Sequence, residues 1–161
     1  MTDETKATRV HAVAIKRLGK GDVTKMRELN ALFASAFEDS DTLQHASPGD
    51  QYLGAFLADE QHIVMVAIAE GHLVGGLVAY CLPKFERERK EVFLYDLAVV
   101  PAYQRQGIGR SLVYAVQKEA KQMGAYLVFV LAEEGDEAVM FYESLKPLEN
   151  LRTRNFDFDV S

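Results

Sequence analysis

The chain has 161 residues, room for one core and too few for two comfortable domains, so a single domain over 1–161 is expected, with residues 1–8 as a polar tail. Hydrophobic residues make up 48% and charged residues 26%, a balance that excludes a disordered or membrane-embedded chain. A net charge of −6, from 24 acidic against 18 basic residues, argues against a nucleic-acid partner and favours a cationic small molecule.

The lone Cys81 lies in an apolar stretch with no second cysteine to pair with, as in chains kept in a reducing compartment. Met1-Thr2-Asp3-Glu4-Thr5-Lys6 has no apolar run behind its charges, and no later segment has the length of a bilayer span. A cytoplasmic location without a membrane partner is expected.

Val10, Ala12 and Ala14, with Val13 and Ile15, predict a first strand, punctuated by Gly19 and Gly21. From Asp22, the positions Val23, Met26, Leu29, Leu32, Phe33 and Phe37 recur at helical spacing. Ser47-Pro48-Gly49-Asp50 predicts a second helix, capped by Ser47 with Pro48 in its first turn, that carries Tyr52, Leu53, Phe56 and Leu57. The apolar runs Ile63 to Ala69 and Leu73 to Leu82 flank Glu70-Gly71-His72 and read as an antiparallel hairpin. Glu91 to Val100 follows as a fourth strand, and residues 107–123 as a helix closed by Gly124. Tyr126 to Leu131 reads as a fifth strand, Ala138 to Leu145 as a last helix, and Phe156-Asp157-Phe158-Asp159-Val160 alternates as a closing strand.

The fourth strand, Phe93 to Val100, runs through Pro101-Ala102-Tyr103 into Gln104-Arg105-Gln106-Gly107-Ile108-Gly109-Arg110, which opens a helix. A helix start offers unpaired N–H groups and partial positive charge, and glycines let a pyrophosphate approach the main chain closely. The spacing is neither the Walker pattern nor the three-glycine dinucleotide fingerprint.

Gln104-x-x-Gly107-x-Gly109, behind a Leu-Ala-Val strand and a proline, resembles the acetyl-coenzyme A motif of the Gcn5-related (GNAT) acetyltransferases. Ala138-Val139-Met140-Phe141-Tyr142 resembles that superfamily's Ala-x-x-Phe-Tyr helix, while its following Leu-Gly-Phe is replaced by Leu145-Lys146-Pro147. More closely, Tyr80 to Glu86, Tyr95 to Val99, Arg105 to Ile108, Gly124 to Tyr126, Asp50-x-Tyr52-Leu53-Gly54 and Phe156-Asp157 look like the aminoglycoside 3-N-acetyltransferases. The resemblance implies an α+β GNAT fold: a mixed, mostly antiparallel sheet of six to seven strands flanked by four helices. Its order is strand, two helices, three strands, helix, strand, helix and one or two closing strands.

The resemblance further implies acetyl-coenzyme A as donor, with Leu97, Ala98 and Val99 offering backbone groups to its pantetheine arm. Gln104, Arg105, Gln106, Gly107, Ile108, Gly109, Arg110 and Ser111 would wrap its pyrophosphate, and Tyr142 would protonate the leaving thiolate. A largely protonated acceptor amine needs a carboxylate to take its proton, and a carboxylate in an apolar strand is costly unless paired or used. Asp96 is the first choice and Glu91 the second. Simple alternation puts them on opposite faces, so either a bulge intervenes or only one faces the acceptor.

An aminoglycoside carries several ammonium groups, so carboxylates should line its site. Glu133, Glu134 and Asp136 rank first, beside Tyr95, Asp157 and, in the first interhelical loop, Glu38 and Asp39. The expected reaction is acetyl transfer to an aminoglycoside amine, at the 3-amino group of 2-deoxystreptamine, giving antibiotic resistance. A polyamine, amino acid or protein amine remains open as acceptor, as does a non-catalytic acyl-coenzyme A sensor; a homodimer is compatible with either. His11, His45, His62 and His72 lack metal-ligand spacing, so no metal is expected.

Overall fold

The computed structural model describes residues 12–38 and 48–161. The expected tail over 1–8, Val10, His11, Asp39, His45 and the capping Ser47 lie outside the described residues. The chain divides into two compact units, one ending at Val130 and the other spanning Leu131–Ser161.

In the first unit, β1 (Val13–Arg17), β2 (His62–Ala69), β3 (His72–Pro83), β4 (Lys90–Val99) and β5 (Ala125–Val130) form one sheet in sequence order. The first three joints are antiparallel, and β4 runs parallel to β5. Ala69 faces His72 across the hairpin, which leaves Glu70 and Gly71 as a two-residue loop. Their φ angles of +51° and +81° are the paired positive angles of a type I′ turn, whose twist suits the strands it joins.

Helices cover both faces, which is why β2 is buried along nearly its whole length rather than alternately. Helices α1 (Val23–Ala36) and α2 (Asp50–Ala58) set Met26, Leu29, Phe33, Leu53 and Leu57 against Val64, Val66, Val78 and Ala98. The strongly amphipathic α3 (Ile108–Gln122) buries Ile108, Leu112, Val113, Val116 and Ala120 against the other face. Gly76 lets α1 come down onto the sheet. A Cβ there would stand 2.6 Å from Leu29 Cδ1 and 2.7 Å from the Met65 carbonyl oxygen. Cys81 is buried, and burial pushes its thiol above the ordinary range.

Helix α2 starts later than its sequence implies. Gly49 is extended and its carbonyl accepts from Leu53 N–H at 3.0 Å, so Gly49 is the N-cap and Pro48 precedes the helix. Among the described residues no helix is long and apolar enough to cross a membrane.

The second unit holds α4 (Glu137–Ser144), capped by Asp136, whose side chain accepts from Ala138 N–H at 2.9 Å. Lys146 follows with φ +56°, in the left-handed region that favours glycine. It stands where the resembled family has glycine, and the strain of the left-handed exit falls on a side chain with a Cβ. The expected closing strand is absent, and the sheet has five strands among the described residues rather than six or seven. Phe156, Phe158 and Val160 alternate as a strand would but stand 67%, 86% and 98% exposed. Alternation marks a face to be buried, while a strand also needs a ladder partner, and the second unit contains no other strand.

Candidate active site

The site is organised by one extra residue in β4. Ala79 pairs with Leu94 and Val78 with Asp96, so Tyr95 is a bulge without a partner on β3. Leu82 pairs with Glu91, Tyr80 with Phe93, Val78 with Asp96 and Gly76 with Ala98. Glu91, Phe93, Asp96 and Ala98 therefore share the face covered by α1 and α2. Without the bulge Asp96 would turn to the α3 face with Val92 and Leu94. Of the two alternatives that alternation left open, the structure has the bulge.

Sharing a face does not bring the carboxylates together. The β3 partners Leu82 and Val78 are separated by four residues, about 13 Å of strand. Glu91 lies at the start of β4, where Oε1 accepts from Lys84 Nζ at 3.2 Å and Oε2 from the Tyr126 hydroxyl at 2.9 Å. Asp96 is half-buried, and loss of hydration alone raises its carboxyl above the usual aspartate range. Among the described residues no cation or hydrogen-bond donor compensates it.

Asp96 lines a cleft of about 190 Å³ with Met26, Asn30 and Phe33 of α1, Tyr52 and Phe56 of α2, and Tyr80 and Tyr95. The Tyr80 ring stands edge-on to Tyr95, with centroids 5.6 Å apart, and to Phe56 at 6.2 Å. Phe93 meets Tyr95 at 5.5 Å and stacks on Phe129 at 4.8 Å. His62 lies behind this wall, stacked on Phe56 at 4.1 Å, with its Nδ1–H donating to the Phe56 carbonyl at 2.9 Å. Burial raises the Tyr80 hydroxyl, and the neighbouring Tyr95, Asp96 and Tyr52 raise it further, so the cleft disfavours a second anion.

Beyond Asp96 the β4–β5 ladder has already ended, at Leu94 and Val130. Among the described residues no strand pairs with that edge of β4 from Tyr95 to Val99, where Gln104 Nε2 donates to the Val99 carbonyl at 2.9 Å. A 3-10 turn, Pro101–Tyr103, leads to Arg105 and Gly107, both left-handed, with φ +62° and +83°. Gly107 is the N-cap of α3, and no side chain caps that helix. Ser111 N–H reaches the Gly107 carbonyl at 3.0 Å, so the N–H groups of Ile108, Gly109 and Arg110 precede the first intrahelical bond. A Cβ added to Gly107 would meet nothing within 4 Å, which leaves open space at an uncapped, electropositive helix start beside the exposed Arg105 and Arg110.

Residues 26–146 match the Acetyltransferase (GNAT) family. The chain belongs to that family. It is 33% identical to an aminoglycoside acetyltransferase, meta-AAC0020, from an uncultured soil metagenomic sample, solved in complex with sisomicin. That likeness covers 92% of this chain and 97% of the other, with a TM-score of 0.87. A second aminoglycoside acetyltransferase, HMB0005, likewise from an uncultured soil metagenomic sample, is 34% identical over 93% of this chain and 99% of its own, also at 0.87. The ribosomal-protein-alanine N-acetyltransferase of Brucella melitensis biovar Abortus 2308, 22% identical over 92% and 100% with a TM-score of 0.71, shares the fold. No curated protein sequence matches the chain.

As a GNAT acetyltransferase the chain has acetyl-coenzyme A as its family's acyl donor, and the uncapped α3 start and open β4 edge suit a pyrophosphate and an amide-bearing arm. Of the acidic residues expected around the acceptor, Glu133, Glu134, Asp136 and Asp157 fall in the second unit, and Glu38 follows α1 in the first. Asp136 caps α4, Glu134 pairs with Arg152 at 3.4 Å, and Asp157 accepts from Asn155 at 2.9 Å. Tyr142 is half-buried on α4 with Phe141 at 5.0 Å. Sequence reasoning missed Asn30, Tyr80 and Tyr52 as cleft residues. Spacing gave no signal for Tyr52, which stands one turn from Phe56 in the apolar set of α2; its 66% exposure against the buried Leu53 and Leu57 is a property of the packing.

Proposed function

We propose that this GNAT acetyltransferase transfers the acetyl group of acetyl-coenzyme A to an amine of an aminoglycoside, with Asp96 as the base. The carrying observation is the desolvated Asp96, held by the Tyr95 bulge in an aromatic cleft beside the open edge of β4. A carboxylate raised toward neutrality is a better proton acceptor than an ordinary aspartate. It takes one proton from the acceptor's ammonium, directly or through a water, and the freed lone pair attacks the acetyl carbonyl. The carbon–sulfur bond breaks, Tyr142 supplies the proton that the thiolate takes up, and the second proton lost by the nitrogen returns through solvent to the phenolate, leaving amide, thiol and a protonated Asp96 that releases its proton to solvent. Donor N–H groups along Leu97 to Val99 face the acetyl oxygen, and Gln104 to Ser111 hold the pyrophosphate.

The aminoglycoside class is supported by the relatives near one-third identity, one of them bound to sisomicin. The 3-amino group of 2-deoxystreptamine is the proposed position, and loss of antibiotic potency the proposed consequence. An acetyl-coenzyme A turnover assay with sisomicin, spermidine and a lysine peptide side by side tests the class. Transfer to sisomicin with a product acetylated at N3 by NMR is expected. Preference for spermidine or the peptide moves the acceptor, and tight acetyl-coenzyme A binding without transfer to any of them favours a sensor.

A further inference from the structure

Among its described lining residues the cleft has one carboxylate, Asp96, and that group is committed to the reacting amine if the proposed function holds. Among the described residues nothing else in its lining is charged; Asn30 and the tyrosine hydroxyls are the other polar side-chain groups there. What the lining has in excess is aromatic surface. Tyr52 is 66% and Tyr95 58% exposed, so two large rings stand at the cleft with most of their area uncovered. Exposed aromatic surface around a concavity marks a place where something packs. Edge-on contacts from Tyr80 and Phe93 hold the Tyr95 ring in place before any ligand arrives.

We infer that the acceptor is recognised through one cationic amino-sugar ring laid against Tyr52, Tyr80 and Tyr95, with the ring faces taking part in compensating its charge. The faces of tyrosine rings carry negative quadrupole potential and attract ammonium groups, most strongly where water is excluded. The apolar C–H face of a sugar ring matches the same surface. At about 190 Å³ the cleft is smaller than the roughly 300–1,000 Å³ of sites that enclose whole drug-sized ligands, so it takes one ring of a polycyclic acceptor and leaves the others outside. The bulge that turns Asp96 into the cleft is Tyr95 itself, so one backbone irregularity sets both the base and its principal aromatic neighbour.

This inference rests on the proposed acceptor class, and two measurements separate their fates. In the first, KM and kcat for sisomicin at saturating acetyl-coenzyme A are compared for wild type, Tyr95→Leu, Tyr52→Leu and Tyr95→Phe. Each leucine variant raises KM about fivefold to thirtyfold with the change falling on KM rather than kcat, and Tyr95→Phe restores most of the loss. Both positions are largely exposed, so circular dichroism should show folded variants. In the second, NMR titration compares methyl glucosaminide, a single cationic ring, with methyl glucoside, the same ring without charge. The cationic sugar binds more tightly and its ring protons move upfield through aromatic ring currents, an effect that Tyr95→Leu abolishes. If sisomicin is not turned over while the cationic sugar still shows that preference and shift, the aminoglycoside reading falls and the aromatic recognition stands. Equal binding of the two sugars, or leucine variants with the wild-type response, overturns the inference.

Discussion

The proposed donor turn and the proposed acceptor cleft adjoin the same half of β4 and are built at different ranges. Gln104 to Ser111 takes its form from neighbours in sequence: Pro101 opens a 3-10 turn, Arg105 and Gly107 are left-handed, and α3 begins uncapped. The cleft draws Met26 and Asn30 from α1, Tyr52 and Phe56 from α2, Tyr80 from β3, and Tyr95 and Asp96 from β4. A backbone cradle for a pyrophosphate tolerates most side chains and demands a local shape. A site that removes a proton from one amine demands side chains in register across the sheet, so it depends on every element that sets the register.

The largest expected effect falls on the acceptor side. Asp96→Asn should lower kcat by about 10²- to 10⁴-fold, as removal of a general base does, while calorimetry finds acetyl-coenzyme A affinity unchanged. Loss of both together would mean that the two regions are one unit. Stability should move the other way. Desolvation holds the folded pKa of Asp96 above its unfolded value, so the folded chain retains that proton longer and stability falls as pH rises from the unfolded pKa through the folded one. Asparagine does not titrate, and Asp96→Asn should therefore raise Tm at neutral pH, with little difference below the unfolded pKa.

Gly76→Ala strikes the long-range assembly. Its Cβ would meet the Met65 backbone carbonyl, which has no rotamer to yield with, and a loss of about 1–3 kcal/mol in chemical denaturation is expected. Gly107→Ala strikes the local one. With open space around it but φ at +83°, the cost is backbone strain of about 1–2 kcal/mol, read as weaker acetyl-coenzyme A binding with unaltered binding of methyl glucosaminide. Lys146→Gly should raise stability by about 1 kcal/mol by relieving the left-handed exit of α4. Glu91→Gln should have the smallest effect on kcat, since that carboxylate is tied to Lys84 and Tyr126; a collapse of turnover would return it to the chemistry.

Most elements were legible because helical spacing, the Glu70-Gly71 turn and the glycine after α3 are local signals. The start of α2 was read early because Pro48 and Ser47 mimic a cap, whereas the extended backbone that caps the helix falls on Gly49. The closing strand was read from Phe156, Phe158 and Val160, where periodicity announces a face without supplying a partner. Glu133, Glu134 and Asp136 are candidates for the acceptor because they cluster in sequence; the structure adds that Asp136 caps α4 and that Glu134 pairs with Arg152 at the surface.

By itself the sequence determined the glycine turn ahead of a helix and the family that the turn and Phe141-Tyr142 point to, and it offered Asp96 and Glu91 as candidates for the base. Those are properties of short stretches, in which spacing stands for geometry. The tertiary structure decided which face each carboxylate takes, because a single unpaired residue at Tyr95 reverses the alternation of everything after it. It also decided which aromatic rings stand beside Asp96, since α1, α2, β3 and β4 meet there only through packing, with Gly76 allowing α1 its close approach to the sheet.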